Sequence, residues 1–277
     1  MIVYIRKIFQ EVFMEIKTVN NNIKSFGLIN ANTLRVIACI LMLMDHAWAT
    51  VIPGSDWLTY AGRMAFPIFA FQIAEGFFHT SDFKKYARRL FIFGLISEIP
   101  FNLMYASSVI YPFHQNVMFT LLLGLLAIKS LDNIRMACAG HSIKDWNSSV
   151  VKSLIFGLLK ASLCFLAAGI GFTDYGMTGV LTIILFYLCR GFRGARLAQI
   201  AGMVYINCFA LMGRTIPLAL GSMTFDFPTQ GFAVLSLIFI WLYNGKKGRS
   251  SKALQYGFYA FYPVHMLILA IIVAILF

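Results

Sequence analysis

The chain has 277 residues, of which 60% are hydrophobic and 12% are charged, and its mean hydropathy is +0.77. A soluble domain carries about twice that charged share, so the composition excludes an ordinary soluble protein and indicates an integral membrane protein. The net charge is +12. It does not indicate a nucleic-acid partner, because the basic residues are dispersed over several short segments and no single groove or recognition helix collects them.

The first predicted element covers residues 1–30. Apolar side chains alternate there with Arg6, Lys7 and Lys17, which is typical of an amphipathic helix lying in the membrane interface. The segment lacks the uninterrupted apolar stretch and the small-residue cleavage site of a signal peptide. We therefore predict a cytoplasmic, interfacial segment over residues 1–30, followed by one transmembrane domain over residues 31–277.

Nine later segments are apolar enough to cross a bilayer, for which a helix needs about 20 residues. They cover residues 34–53, 58–79, 89–107, 115–131, 153–171, 175–190, 197–213, 229–243 and 254–276. The sequence from 214 to 230, with Pro217, Asp226 and Pro228, interrupts the pattern and leaves room for a short re-entrant or interfacial piece. The prediction is an all-α, polytopic transmembrane helical bundle with about nine spans.

Lysine and arginine residues give the orientation, because short loops rich in these residues stay cytoplasmic. They form five clusters at alternate gaps between the apolar segments: Arg6 to Lys24, Lys84 to Arg89, Lys129 to Lys152, Arg190 to Arg196 and Lys246 to Lys252. Nine spans with a cytoplasmic N-terminus place all five clusters on the cytoplasmic side.

Several ionisable side chains lie inside the predicted spans, where each costs at least about 2.5 to 3.5 kcal/mol on insertion scales and marks a functional site by default. A helix rises about 1.5 Å per residue, so His46, Glu98 and His265 reach a similar depth in three different spans. The second span runs in the opposite direction. It brings Arg63 close to that layer and leaves Glu75 well below it.

The first predicted span carries two polar residues on one face. Arg35 and His46 are eleven residues apart, almost three helical turns, so their side chains lie one above the other. Arg35 is then at the cytoplasmic mouth and His46 is deep, which suits a ligand with an anionic head and a reactive tail. Asp45 cannot face the His46 ring, because neighbours on a helix point about 100° apart. We predict that Asp45 pairs with Arg63 across the helices.

Short motifs occur in order along the chain, and in combination they resemble the TraX family over roughly residues 34–276. They are Leu34-Arg35-Val36-Ile37-Ala38, Met44-Asp45-His46, Gly62-Arg63-Met64-Ala65-Phe66-Pro67, Ala74-Glu75-Gly76-Phe77, Tyr86-Ala87-Arg88-Arg89-Leu90, Ile99-Pro100-Phe101-Asn102-Leu103, Asn116-Val117-Met118-Phe119-Thr120-Leu121, Asp174-Tyr175-Gly176 and Phe261-Tyr262-Pro263-Val264-His265. At greater distance, the Arg and His of the first span are similar to membrane acyltransferases of the acyltransferase-3 kind. The segment before Leu34 matches no motif of the family.

The TraX family is named for a conjugative-pilus protein that acetylates the N-terminus of F-type pilin. The resemblance therefore implies a multi-pass protein of the bacterial plasma (inner) membrane, in contact with lipid, whose residues 31–277 form a TraX-like transmembrane acyltransferase domain. It implies transfer of an acetyl group from cytoplasmic acetyl-CoA to an amine. The acceptor is predicted to be a pilin-like peptide or another amine, since TraX-like chains also occur where no F-type pilus need exist.

The chemistry of this reaction assigns roles to the buried residues. An α-amino group has a pKa of about 7.7 to 8.0 and is largely protonated at neutral pH, so its acylation needs a base, and His46 is the predicted general base. His265 is predicted to hold His46 or the acceptor. Glu98 is predicted to set a tautomer or raise basicity through a hydrogen bond.

Other polar residues are candidates for binding the reacting groups. Arg63, Asn102 and Asn116 are alternative donors to the oxyanion of the tetrahedral intermediate, and the sequence does not rank them. Arg35, Arg88 and Arg89 are predicted to bind the phosphates of coenzyme A, because guanidinium groups match phosphate oxygens. Glu75 is either a substrate contact or a solvated residue at the cytoplasmic end.

Two other classes of protein compete with the enzyme. Buried His, Glu and Arg at one depth also describe a proton-coupled membrane transporter, although the two halves of the chain show no paired symmetry. A non-catalytic assembly component is the third class, but it has no need for ionisable groups at mid-membrane. No metal is predicted, since the five cysteines lack a close pair or a histidine at metal-binding spacing.

Overall fold

A computed structural model describes residues 27–139, 146–191, 194–211, 213–220, 223–249 and 251–276. The predicted interfacial segment falls almost entirely on residues 1–26, outside the described residues. What the structure describes is therefore the predicted transmembrane domain.

Ten α-helices are present in the described residues, together with one π-helical and one 3-10 helical segment. The α-helices are α1 (Ala31–Thr50), α2 (Trp57–Gly62), α3 (Ala65–His79), α4 (Phe83–Ala106), α5 (Val117–Cys138), α6 (Ser148–Ile170), α7 (Gly176–Leu188), α8 (Ala195–Val204), α9 (Ser236–Trp241) and α10 (Lys252–Leu276). The π-helical segment Tyr205–Ala210 continues α8, and the 3-10 helix Thr229–Leu235 leads into α9. Each of the nine predicted spans overlaps at least one of these helical segments.

Four described helices, α1, α5, α6 and α10, are long and apolar enough to cross a membrane, and α7 and the segment Thr229–Trp241 are apolar but shorter. The protein is thus a mainly helical membrane protein. The second predicted span is divided into α2 and α3 at Arg63 and Met64. Pro67, which lacks an N–H group, then lies in the first turn of α3, where a helix tolerates it.

The chain departs from the all-α prediction in one place. Thr215–Leu220 (β1) and Met223–Pro228 (β2) form an antiparallel hairpin in which Leu218 lies opposite Phe225. Apolar residues alternate along both strands, which is the period of a strand and not of a helix. The stretch predicted as a re-entrant or interfacial piece is therefore a β-hairpin.

Helix α5 occupies the centre of the bundle. Its residues Leu125 and Ile128 are completely buried, and the helix packs against α4, α6 and α7. By contrast, α6 and α10 bury only a narrow side and leave many large apolar residues exposed. This distribution is expected where lipid, and not water, covers the outer faces of a bundle.

Gly62, the last residue of α2, lies so close to α1 that a Cβ atom there would overlap the Cα and Cβ atoms of Asp45. The backbone of Asp45 cannot move aside without displacing α1, so Gly62→Ala is expected to push the helices apart and destabilise the fold by about 1 to 3 kcal/mol. The thermal unfolding temperature in detergent measures this loss of stability. Gly257→Ala on α10 is the matched control, since a Cβ there meets no atom within 4 Å. Equal unfolding temperatures for the two variants would contradict the close approach.

Candidate active site

Two histidines from α1 and α10 meet inside the bundle. Nδ1 of His46 lies 2.7 Å from Nε2 of His265, and the ring centroids are 4.9 Å apart. Nδ1 of His265 lies 2.8 Å from the carbonyl oxygen of Phe261. The sequence places both histidines at one depth, and the structure brings them into direct contact.

The hydrogen-bond partners determine which ring nitrogens carry protons. A carbonyl oxygen only accepts, so Nδ1 of His265 is the donor to Phe261 and Nε2 of His265 is left as an acceptor. His46 must therefore donate from its own Nδ1. In this arrangement Nε2 of His46 has a free lone pair and is able to take a proton.

Beside the histidine pair, Asp45 and Arg63 form the predicted cross-helix ion pair. Nη2 of Arg63 lies 3.3 Å from Oδ1 of Asp45. Thr59 on α2 completes the cluster, because its hydroxyl donates to Asp45 over 2.6 Å and accepts from Arg63 over 2.8 Å. The close approach at Gly62 allows these short contacts.

Tyr175 and Asp174 reach the same region from the loop before α7. Tyr175 has a left-handed backbone, with φ of 62°, which is uncommon for a residue other than glycine and is often found at functional sites. Its ring stacks on Phe66 with centroids 3.9 Å apart, and its hydroxyl interacts electrostatically with Arg63. Asp174 interacts electrostatically with Asp45 and Arg63. We did not predict either residue as part of the site, although the Asp-Tyr-Gly motif drew attention to the loop.

The three candidate oxyanion donors differ in whether their donor groups already have hydrogen-bond partners. Asn116 is used as a helix cap, since its side-chain oxygen accepts from the N–H of Met118 and its amide donates to the carbonyl of Gly94 over 2.8 Å. Asn102 donates to the carbonyl of Val109 over 3.3 Å. Arg63 keeps a buried Nε that has no hydrogen-bond partner in the described structure.

Glu98 and Glu75 are hydrogen-bonded to groups other than the histidine pair. The carboxylate of Glu98 accepts from the backbone N–H and the side-chain amide of Asn116, and in the described residues it makes no hydrogen bond to either histidine. The carbonyl oxygen of Phe261, and not the carboxylate of Glu98, accepts the hydrogen bond that sets the histidine tautomer. Glu75 is paired with Arg190 over 3.0 Å and with His79 over 2.9 Å, which are contacts near the end of α3.

Arg35, on α1, faces into the bundle near its basic end. Its Nε donates to Oε1 of Gln72 over 3.2 Å, and its guanidinium carbon lies 4.9 Å from the centre of the Phe258 ring. Helices α1, α3 and α10 therefore meet around this arginine. Arg35 stands on the same face of α1 as His46, as predicted.

The two neighbouring arginines of α4 point in different directions. The guanidinium of Arg89 lies over the ring of Tyr86 and interacts electrostatically with the hydroxyl of Tyr259, whereas Arg88 is exposed. Arg35 and Arg89 both act electrostatically on the Tyr259 hydroxyl, and Tyr259 is the neighbour of Phe258, over which Arg35 lies. Nε of Arg89 is buried without a hydrogen-bond partner in the described structure.

Comparison with known proteins decides the family. The chain matches the family described as TraX protein over residues 30–273. It belongs to the TraX family. A relative from Dichelobacter nodosus, described as a probable fimbrial assembly protein FimC of serogroup H1, is 31% identical over 252 residues, covering 87% of this chain and 94% of that protein. No solved structure matches the chain.

The TraX match covers every residue of the candidate site, from Arg35 on α1 to His265 on α10. It also contains the hairpin of β1 and β2, so this departure from a purely helical bundle lies within the TraX region. The match begins at residue 30 and thus leaves out most of the segment 1–30.

Proposed function

We propose that this TraX-family protein is an integral membrane acetyltransferase that transfers an acetyl group from acetyl-CoA to an amine. The observation that carries the proposal is the hydrogen-bonded pair of His46 and His265, because its donor and acceptor pattern leaves Nε2 of His46 free to take a proton. The proposal includes an inner-membrane bundle with about nine spans, a cytoplasmic N-terminus and the acyltransferase domain at residues 31–277.

His46 acts as the general base of the transfer. The amine nitrogen attacks the carbonyl carbon of the thioester and a C–N bond forms, while Nε2 of His46 takes one proton from that nitrogen. The tetrahedral intermediate then collapses with cleavage of the C–S bond. The thiolate takes the proton from His46, so that an amide and a free thiol are released and the base is regenerated.

His265 is a positioning residue in this scheme. It accepts from Nδ1 of His46 and so fixes the ring orientation and the tautomer that the base needs. It also stabilises the imidazolium formed when His46 is protonated. A residue that orients a catalytic histidine in this way contributes strongly to the rate in hydrolases with a Ser-His-Asp triad.

Arg63 is the donor that best fits the developing oxyanion. Asp45 and Thr59 hold its Nη2 atom, which fixes the guanidinium, and its buried Nε remains available for a further acceptor. A preorganised, desolvated donor of this kind favours the transition state over the neutral carbonyl of the substrate. Asp45 is then structural, as a partner that holds Arg63.

Arg35 and Arg89 fit the phosphates of acetyl-CoA. The Nε of Arg89 is a buried donor that lacks an acceptor in the described structure, and both guanidinium groups act electrostatically on the Tyr259 hydroxyl. Arg35 and His46 lie on one face of α1, and this supports a path from the basic end of the bundle to the base. Arg88 points outward and is assigned no part in the site.

The relative from Dichelobacter nodosus supports a peptide as the acceptor. That protein is described as a fimbrial assembly protein, and fimbrial subunits are peptide chains with an N-terminal amine. The proposed acceptor is therefore the N-terminus of a pilin-like peptide.

The function is tested by incubating the purified, detergent-solubilised protein with labelled acetyl-CoA and a panel of amine and hydroxyl acceptors. We expect labelled amide with amine acceptors, and slow hydrolysis of the thioester in their absence. A folded protein that neither transfers acetyl groups nor hydrolyses the thioester would overturn the proposal. Proton-dependent substrate flux into liposomes without acetyl-CoA would instead establish the transporter.

The donor site is tested by Arg89→Met. Because a charged hydrogen bond to phosphate is lost, the KM for acetyl-CoA is expected to rise at least about tenfold with little change in kcat. Lys84→Met is the matched control, since Lys84 is an exposed cation on the same helix. Steady-state kinetics with varied acetyl-CoA measures the KM of each variant. Equal KM values for the two variants would show that Arg89 does not bind acetyl-CoA.

A further inference from the structure

A second polar site lies at the end of the bundle opposite to Arg35 and Arg89. Helix α4 carries Arg89 near its start and ends at Ala106, and His114 follows in the loop that leads to α5. Asp174 lies in the loop between α6 and α7, and the two loops are joined by main-chain hydrogen bonds through Gln115. Nε2 of His114 is 3.6 Å from Oδ1 of Asp174.

Asp174 is held in a fixed position. Its N–H donates to the carbonyl of Gln115 over 2.8 Å, and its own carbonyl accepts from the hydroxyl of Thr120. One carboxylate oxygen accepts from the N–H of Tyr175 over 3.1 Å. The side chain is nonetheless 32% exposed, so a ligand can reach the carboxylate.

Aromatic side chains lie around His114, the partner of this carboxylate. The ring of His114 is 4.3 Å from that of Tyr105 and 5.1 Å from that of Phe101. Phe113 and Phe172 form an edge-to-face pair beside it and are mostly exposed. A carboxylate among aromatic faces attracts a cation, because the faces of the rings carry negative charge.

The site also contains a polar atom that has no hydrogen-bond partner in the described structure. Nδ1 of His114 is buried and makes no hydrogen bond in the described structure. An aromatic belt at a membrane interface needs neither an unpaired imidazole nitrogen nor a fixed carboxylate. A peptide with a free N-terminus fits the exposed carboxylate, with its ammonium on Asp174.

Asp174 is also close to the catalytic residues. It interacts electrostatically with Asp45, Arg63 and Tyr175, and with Tyr262 on α10. The ring of Tyr262 lies 5.9 Å from that of His265. The next residue, Tyr175, stacks on Phe66 at the start of α3, so Asp174 lies at the edge of the cluster that contains Arg63.

We propose that Asp174, within the aromatic site around His114, binds the ammonium group of the acceptor, and that the acceptor enters from the end of the bundle opposite to the acetyl-CoA site. The inference rests on the proposed function, since it names how that reaction binds its acceptor. Donor and acceptor then meet at His46 from opposite sides of the membrane.

The proton balance of the transfer changes accordingly. The bound ammonium first gives one proton to His46, which passes it to water, and the neutral amine then attacks the thioester carbon through His46 as before. One C–N bond forms, one C–S bond breaks, and the thiolate keeps one proton. Each turnover releases one proton to solvent.

Binding is tested without the donor, using wild-type protein, Asp174→Asn and a short apolar peptide with a free N-terminus. The Kd of the peptide is expected to rise about tenfold or more in the variant, because a charged hydrogen bond is lost. The same peptide with a formylated N-terminus is expected to bind weakly and equally to both proteins. Asp226→Asn, which changes an exposed carboxylate on β2, is the matched control.

The side of entry is tested in proteoliposomes with labelled acetyl-CoA inside and a peptide on a membrane-impermeant carrier outside. We expect acetylated peptide even when the protein is inserted in both orientations, since one orientation is always productive. Product only when both substrates share one side, or equal peptide binding by wild type and Asp174→Asn, would overturn the inference. Absence of any thioester turnover would instead overturn the proposed function, while the binding measurement still tests the Asp174 site.

Discussion

Replacement of His46 by alanine is expected to lower the rate of acetyl transfer by about 10²- to 10⁴-fold, which is the usual contribution of a general base. The proposed acetyl-CoA site lies around Arg35 and Arg89, so the KM for the donor is expected to change little. Single-turnover measurements with labelled acetyl-CoA separate the chemical step from binding. Because the side chain leaves a cavity beside His265, added imidazole is expected to restore part of the rate.

His79→Ala is the matched control for this variant. His79 is a mostly exposed histidine that pairs with Glu75 at the end of α3, and its loss is expected to leave the transfer rate within about twofold of wild type, as for a surface substitution away from the site. If His46→Ala unfolds at the wild-type temperature and transfers acetyl groups at the wild-type rate, His46 is not the general base.

The ion pair of Asp45 and Arg63 gives the second large effect. Arg63→Met leaves Asp45 without its cation in a largely apolar site, and the expected loss of stability is about 3 kcal/mol, at the low end for a buried pair because both side chains keep some solvent contact. Removal of both charges by Asp45→Leu with Arg63→Met is expected to recover most of this stability, since the uncompensated charge is gone. Unfolding in detergent measures both variants.

Activity and stability are expected to separate in the double variant. If Arg63 stabilises the oxyanion, the double variant stays inactive although it is stable, with a loss of about 10² to 10³ in kcat. A double variant that is both stable and active would show that the pair is only structural. Without this second measurement, the loss of activity in Arg63→Met alone would not distinguish a missing donor from an unfolded protein.

The predictions from sequence were most accurate within single helices. Helical periodicity alone places Arg35 and His46 on one face of α1, and the impossibility of an Asp45 to His46 contact predicts the partner of Asp45 correctly. The shared face depends on local geometry, which the sequence determines directly. The pairing of Asp45 with Arg63 joins two helical segments, and it was predicted because their estimated depths in the membrane are similar.

Contacts between distant segments were beyond the sequence. Depth counting placed His46 and His265 in one layer, but contact depends on the packing of α1 against α10. The role of Asn116 as a helix cap depends on where α5 begins, and helix boundaries are poorly defined by hydropathy. Tyr175 was missed because a loop residue carries no periodic signal. The hairpin was missed although its residues alternate as in a strand, because the stretch from 214 to 230 was interpreted only as an interruption between helical spans.

The contact between His46 and His265 has a consequence for biogenesis. It joins the first and the last of the described helices. The start of α1 also depends on a late part of the chain, because the N–H of Ala31 donates to the carbonyl of Lys246. The N-terminal part of a chain is made first, so α1 can contact α10 only after the whole intervening chain has been synthesised. His46 therefore acquires its hydrogen-bonded partner only when the last described helix docks, and no earlier intermediate holds the complete histidine pair.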